Sequence, residues 1–246
     1  MSRSALVIIP TYNERANLPT LVAGLMEHPD VRVLVVDDNS PDGTGDVAEA
    51  LGREHPGRVD LLRRTTNRGF GRSYIDGMKR ALTEPVDVIC QMDADLSHDP
   101  AQLPDLLAAT TRADMVIGSR YIPGGTIRNW PMKRHLLSRF ANNYIRTVTG
   151  VSAHDCTSGY RCWKREALAA MPLDRFLSNG YSFLVEMLFV AHRRGLVIAE
   201  VPITFVERRE GESKVSRAVL IESAITPWRL ISNPETSRKA RGTAKP

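Results

Sequence analysis

The sequence predicts a doubly wound α/β fold built on a mostly parallel sheet, and three observations point to it. Short, β-branched apolar runs alternate with helical patterns through the first half of the chain. Acidic residues stand where those runs end, as happens when ligands bind beyond the C-terminal ends of parallel strands. The length of 246 residues, with 42% apolar and 25% charged side chains, suits one ordinary globular core.

The spacing predicts strands over 6–9, 32–36, 59–62, 86–92 and 115–118. Between the first two, Leu18, Leu21, Val22, Leu25 and Met26 recur at helical intervals behind Asn17, with Pro19 in the first turn. A second helix follows the turn Ser40-Pro41-Asp42-Gly43 and carries Val47, Ala48 and Leu51. Ile75, Met78 and Leu82 mark a third after Arg68-Gly69-Phe70-Gly71, and Leu103, Leu106 and Leu107 a fourth after Asp99-Pro100. The second half is less regular. It offers a loop at Pro123-Gly124-Gly125, then a basic amphipathic segment over 131–148 with Leu136, Leu137, Phe140, Tyr144 and Val148 on one side. Leu184, Met187, Leu188 and Ala191 suggest another helix, 197–205 another strand, and Val219 to Ile225 a last helix that Pro227 ends or kinks. One domain is expected over 1–236, with a nucleotide-binding half at about 5–120 and an acceptor-binding half at about 121–232. The basic tail over 237–246 is expected to be disordered.

A net charge of +5 and a pI near 9.3 favour contact with phosphates. Cys90, Cys156 and Cys162 are an odd set without CxxC spacing, which argues against a zinc module or a disulfide scaffold and for a reducing compartment. The first apolar run is too short for a signal peptide, and no run approaches the roughly 20 residues of a membrane-spanning helix. The expectation is a cytoplasmic protein that lies on a membrane.

The loop after the first strand, Pro10-Thr11-Tyr12-Asn13-Glu14, contains no glycine, which disfavours a nicotinamide or flavin enzyme. No P-loop motif is present either, so a bound nucleotide must be held by side chains and a metal. Asp93 and Asp95 flank Ala94 at the end of a strand, where residues two apart share a face. A D-x-D triplet is common by chance. At a strand end beside a diphosphate, however, the pair suits Mg²⁺ or Mn²⁺, hard cations held by one or two carboxylates plus phosphate oxygens. Asp37-Asp38 ends the second strand in the same way, and Asp38 is placed to accept N–H donors from guanine or uracil. Asp42 needs no role beyond its turn. Cations that would face a diphosphate stand at Arg120 and in Glu207-Arg208-Arg209-Glu210-Gly211-Glu212-Ser213-Lys214, with Arg128, Lys133, Arg134 and Arg139 nearby.

The ordered set Pro10-Thr11-Tyr12-Asn13-Glu14, Asp37-Asp38-Asn39-Ser40-Pro41-Asp42-Gly43-Thr44, Met92-Asp93-Ala94-Asp95-Leu96-Ser97-His98, Gly118-Ser119-Arg120-Tyr121 and Gly211-Glu212-Ser213-Lys214 resembles the inverting GT-A glycosyltransferases of family 2. Within them it is similar to the dolichol- and polyprenol-phosphate mannose synthases, from about residue 6 to about 225. The resemblance implies a GT-A fold and transfer of mannose from GDP-mannose to a polyprenyl monophosphate. It implies that Pro10, Tyr12, Glu14, Val36 and Asp38 line the guanosine site with Asp93 and Ala94 alongside. Asp95 is then the chief metal ligand, assisted by Asp93. By the same resemblance Arg208 and Lys214, with Arg120, bind the donor diphosphate, and Arg120, Arg134 and Ser138 form the acceptor-phosphate pocket. Some members of the family carry Gln where this chain has Ser97, and many continue into transmembrane helices. The implied membrane contact therefore falls to the amphipathic segments or to a separate anchoring protein.

An acceptor phosphate is largely a dianion at neutral pH, so no general base is required, and His98 reads as structural. Catalysis is expected to rest on the metal, Asp95, Arg120, Arg134 and Arg208. The nearest alternative is a polyprenyl-phosphate glucosyltransferase that uses UDP-glucose. A basic nucleic-acid-binding protein is disfavoured because the basic segment is interleaved with core-type apolar residues. A catalytically dead scaffold is disfavoured because every charged position of the motif set is present.

Overall fold

A computed structural model describes residues 3–66, 68–178, 180, 182–207 and 217–233. In chain order the elements are β1 (Ala5–Thr11), α1 (Leu18–Met26), β2 (Val31–Asp37), α2 (Thr44–Glu54), β3 (Val59–Arg63), α3 (Phe70–Ala81), β4 (Val88–Gln91), α4 (Leu103–Ala109) and β5 (Met115–Ser119). They continue as β6 (Thr126–Arg128), α5 (Met132–Thr149), β7 (Arg161–Lys164), α6 (Arg165–Ala169), α7 (Ser182–Arg193), β8 (Ile198–Pro202), β9 (Thr204–Val206) and α8 (Arg217–Ser232). Seven strands form one sheet in the order β3-β2-β1-β4-β7-β5-β8, parallel except for β7, which runs antiparallel to both neighbours.

The continuous apolar runs of the inner strands follow from burial on both faces. Val7, Ile9, Val33 and Val35 face one core with Leu18, Leu21, Leu25 and Leu106 from α1 and α4. Leu6, Ile8, Leu34 and Val36 face the other with Tyr74, Met78, Phe183 and Leu188 from α3 and α7. All three cysteines are buried and free.

Several features differ from the sequence expectation, the short β6 and α6 among them. The strand expected over 86–92 is confined to Val88–Gln91. The one expected over 197–205 splits at Pro202, which has no N–H to extend the ladder. Ile203 donates to the Ser119 carbonyl, and the chain then leaves to pair β9 with β6 as a separate two-stranded sheet. The strand β7 was not expected at all: Arg161-Cys162-Trp163-Lys164 is short and charged at both ends, yet Arg161, Cys162 and Trp163 are fully buried. The helix α8 continues past Pro227, so of the two alternatives the proline does not end it.

The helix α5 forms where expected, but the first half of its apolar row stays out of the core, while Tyr144 further along packs against it. Leu136, Leu137 and Phe140 are 63%, 50% and 68% exposed, while Asn142, Ile145 and Thr149 are buried. Asn142 anchors the helix from beneath, accepting from the Cys156 amide at 2.7 Å. The tail over 237–246 lies outside the described residues.

Candidate active site

The chain passes from β1 through β2 to β3 on one side and then returns to place β4 on the other, so the switch in strand order falls between β1 and β4. A cleft of about 430 Å³ opens beyond the C-terminal ends of these strands. Its lining includes Pro10, Tyr12 and Glu14 after β1, Asp38 after β2, Gly69 and Ser73 at the start of α3, and Asp93, Ala94 and Asp95 after β4. Seven residues expected at a nucleotide site thus come together. Val36 does not join them through its side chain, which is fully buried in the core.

Each acid in the cleft is held in a defined orientation. Asp38 accepts from the buried Arg64 on one carboxylate oxygen and from the Gly69 amide at 2.8 Å on the other. Arg64 also donates to Asp76 at 2.8 Å and to the Ser73 hydroxyl at 3.0 Å. Asp37 has turned inward to accept from Thr11 and Ser40. Asp42 accepts the Thr44 amide and hydroxyl within its turn and, beyond the local role expected of it, the Arg15 amide at 3.2 Å, tying the loop after β2 to the loop after β1.

Asp93 accepts from the Tyr74 hydroxyl at 3.1 Å. Burial and the Asp93 charge both push the Tyr74 pKa well up, so the phenol keeps its proton and acts as a donor. Across from it, a Cβ on Gly159 would stand 2.9 Å from the Asp93 carboxylate, so only glycine leaves room there. Asp95 accepts both the Ser97 amide, at 3.1 Å, and its hydroxyl, at 2.6 Å. The position that carries Gln in some family members therefore orients Asp95 from behind. Among the described residues no cluster of three or more metal-ligating side chains occurs. The donor set is two carboxylates at the mouth of an open cleft, which fits a hard divalent cation that takes its remaining ligands from a diphosphate and water.

Behind this turn His98 is buried between the rings of Tyr160 and Phe205, 5.1 and 5.6 Å away. Burial, aided by Arg120, lowers its pKa to about 4, against the opposing pull of Asp95 and Asp155. The imidazole is neutral, and its Nδ1 faces the Asp93 amide at 3.4 Å.

Beyond His98 lies a second group of cations. Arg120, at the end of β5, is gripped by Asp155: Nε and Nη2 each donate to a carboxylate oxygen at 2.7 Å, and the Arg120 amide adds a third bond at 3.0 Å. Burial opposes ionisation of both partners. Their mutual attraction wins, holding the Asp155 pKa below and the Arg120 pKa above the usual range. Aromatic rings of Tyr121, Trp130 and Phe205 surround the guanidinium at 5.2 to 5.7 Å. Arg134 lies 4.1 Å over the same Trp130 ring and pairs with Glu207. Ser138, one turn further along α5, accepts from the Tyr121 hydroxyl at 2.7 Å. Arg120, Arg134 and Ser138 are thus gathered around Trp130 and Tyr121, and none of them is in the cleft lining. Arg208 and Lys214 lie outside the described residues.

Sequence reasoning missed Arg64, Tyr74, Asp155, Gly159, Trp130 and Glu207. None sits in a recognisable motif, and each acts through a partner 19 to 73 positions away, or through packing.

Residues 6–171 match the family model for glycosyl transferase family 2. The chain is 47% identical to the polyprenol monophosphomannose synthase of Mycolicibacterium smegmatis, covering 96% of this chain and 91% of that one. It is also 47% identical to the undecaprenyl-phosphate mannosyltransferase of Micrococcus luteus, covering 96% and 98%. Among solved structures, glucosyl-3-phosphoglycerate synthase from Mycobacterium tuberculosis, in complex with Mn²⁺, UDP-glucose and phosphoglyceric acid, superposes with a TM-score of 0.67 at 18% identity. That match covers 98% of this chain and 82% of the other, and it speaks for a shared GT-A fold.

Proposed function

Because the chain belongs to glycosyl transferase family 2, we propose that it transfers mannose, with inversion, from GDP-mannose to a polyprenyl (dolichyl-type) monophosphate, giving polyprenyl-phosphate-β-mannose and GDP. The names of the two relatives support the sugar and the acceptor class. GDP as the carrier is what the resemblance to the mannose synthases implies, and the cleft presents Asp38, with both oxygens fixed, to a nucleobase.

The observation that carries the acceptor half is the two-sidedness of α5. Successive residues turn by about 100°, so Arg134 and Ser138 share one side while Met132, Leu136 and Phe140 form an exposed row on the opposite side. Next to it α8 exposes Ile225 and Trp228, tied to α5 by Trp228 donating to the Tyr144 hydroxyl and that hydroxyl to the Ala224 carbonyl. An apolar row flanked by Lys133 and Arg139 is the pattern of a helix lying in a membrane interface. No helix among the described residues is long and apolar enough to cross a membrane. The protein then sits peripherally on the cytoplasmic face, alone or with an anchoring partner, and receives the lipid phosphate on the inner side of α5.

In this reading the acceptor phosphate, largely dianionic at pH 7, attacks the anomeric carbon as the bond to the GDP oxygen breaks, and no proton need move. Arg120, Arg134 and Ser138 hold the attacking phosphate, and Arg208 and Lys214 hold the departing diphosphate. Asp93 and Asp95 would hold Mg²⁺ or Mn²⁺, which when bound neutralises charge on the leaving group. Buried, neutral His98 shapes the turn between the two groups and transfers nothing.

The test is transfer of labelled sugar from GDP-mannose, with UDP-glucose in parallel, into solvent-extractable lipid, with and without polyprenyl phosphate and EDTA. Label from GDP-mannose that needs both acceptor and divalent metal supports the proposal. Label from UDP-glucose alone would overturn the donor assignment.

A further inference from the structure

The two arginines that share the Trp130 ring are held in different ways. Arg120 is locked: its side chain is 7% exposed, Asp155 is fully buried, and Thr157 adds a further bond at 2.8 Å. Among the described residues Arg134 makes one ion pair, with Glu207, and both keep about a third of their side-chain surface in solvent, at 29% and 31%. The Arg134 guanidinium is stacked 4.1 Å over Trp130, and that ring is itself packed edge-on against Phe205 at 5.5 Å, so it has support that does not depend on Glu207. Glu207 is delivered to this spot by the small sheet, where its amide continues the β6–β9 ladder by donating to the Arg128 carbonyl.

We propose that Glu207 stands in for the acceptor phosphate at Arg134, and that acceptor binding exchanges one anion for the other. The inference rests on the reading of Arg134 as an acceptor-phosphate residue. Glu207 is then a specificity-determining residue. A carboxylate brings one negative charge, whereas a phosphate monoester brings about 1.5 to 2 at pH 7 and three acceptor oxygens. A dianionic phosphate displaces Glu207 from the guanidinium, and a lipid with a singly charged headgroup does not. The locked Arg120–Asp155 pair offers no such exchange and supplies a fixed cation beside the exchangeable one.

The experiment uses the full chain with a short-chain isoprenyl monophosphate as acceptor and an isoprenoid carboxylic acid as competitor. Glu207→Gln is expected to lower the acceptor KM about two- to fivefold, the scale of one partly exposed ion pair. The variant should keep kcat within about twofold and be inhibited more strongly by the carboxylic acid. Arg134→Ala raises the acceptor KM, and adding Glu207→Gln to it changes nothing further. An acceptor KM that rises or stays level in Glu207→Gln, while Arg134→Ala still raises it, overturns the exchange and leaves the acceptor site standing. If Arg134→Ala itself leaves the acceptor KM untouched, the acceptor assignment of Arg134 falls, and the exchange with it.

Discussion

Asp155 reaches across from the loop before β7 to close a two-pronged bond on Arg120, each prong 2.7 Å long, at the point where β5 ends. The pair is almost wholly dry. Removing one charge strands the other, so Asp155→Asn is expected to cost about 3–5 kcal/mol in urea unfolding. The sign of its pH dependence follows from the depressed Asp155 pKa. The stabilisation is complete above the ordinary carboxyl value of 3.8 and is lost as pH falls through the lower folded value. Below about pH 4 the variant's stability should therefore fall less steeply than that of the unchanged protein. Parallel curves would remove Asp155 as the source.

Tyr74→Phe deletes the phenol proton that Asp93 accepts while keeping the ring packed against Phe70 and Phe183. Groups that orient a metal-binding carboxylate typically matter 10–100-fold for metal affinity. The expected outcome is a rise of about tenfold in the metal concentration that half-activates transfer, with little change in melting temperature. Asp95→Ala should lower kcat by about 10² or more, and near-normal turnover in that variant would remove Asp95 as the metal ligand.

Gly159→Ala places a methyl group against the Asp93 carboxylate, 2.9 to 3.2 Å from its atoms. The glycine's backbone carries no positive φ, so the effect should be displacement of Asp93 rather than strain of the chain. Activity should fall about 10-fold or more at fixed metal and recover in part at high metal. Unchanged kinetics would mean that Asp93 tolerates the shift.

Replacing Leu136 and Phe140 together by serine removes two exposed apolar side chains without touching the core. Binding to vesicles containing anionic lipid, followed by co-sedimentation, should drop about fivefold or more, with transfer to a detergent-dispersed short-chain acceptor retained. Equal binding by variant and parent would move the membrane contact elsewhere.

The strands buried on both faces were legible because their apolar runs leave no other reading, and the acids after β2 and β4 were legible because charge at the end of such a run is conspicuous. The strand β7 was not, since its buried Arg161 looks like a surface residue. In the fold it donates to the carbonyls of Cys156, Ser158 and Leu184 at 2.7 to 2.9 Å, contacts that only tertiary structure brings about. The row on α5 was legible as amphipathic, but periodicity does not say which side faces solvent. Asp155 and Glu207 were invisible because an acid's partner lies wherever the chain returns. Pairings such as 120 with 155 and 134 with 207 are set by topology, not by local spacing.

The reversed direction of β7 also decides where this fold tolerates change. In a parallel α/β sheet the connections that lead from a helix into the next strand gather at the quiet edge, and here 27–30, 55–58, 82–87, 110–114 and 194–197 do so. The connection over 150–160 has the same place in the chain order, leading from α5 into β7. Because β7 enters the sheet from the other end, this segment arrives at the reactive edge and brings Asp155 and Gly159 with it. An inserted tag or a shortened loop would pass unnoticed by the chemistry at the first five connections, and would not at the sixth.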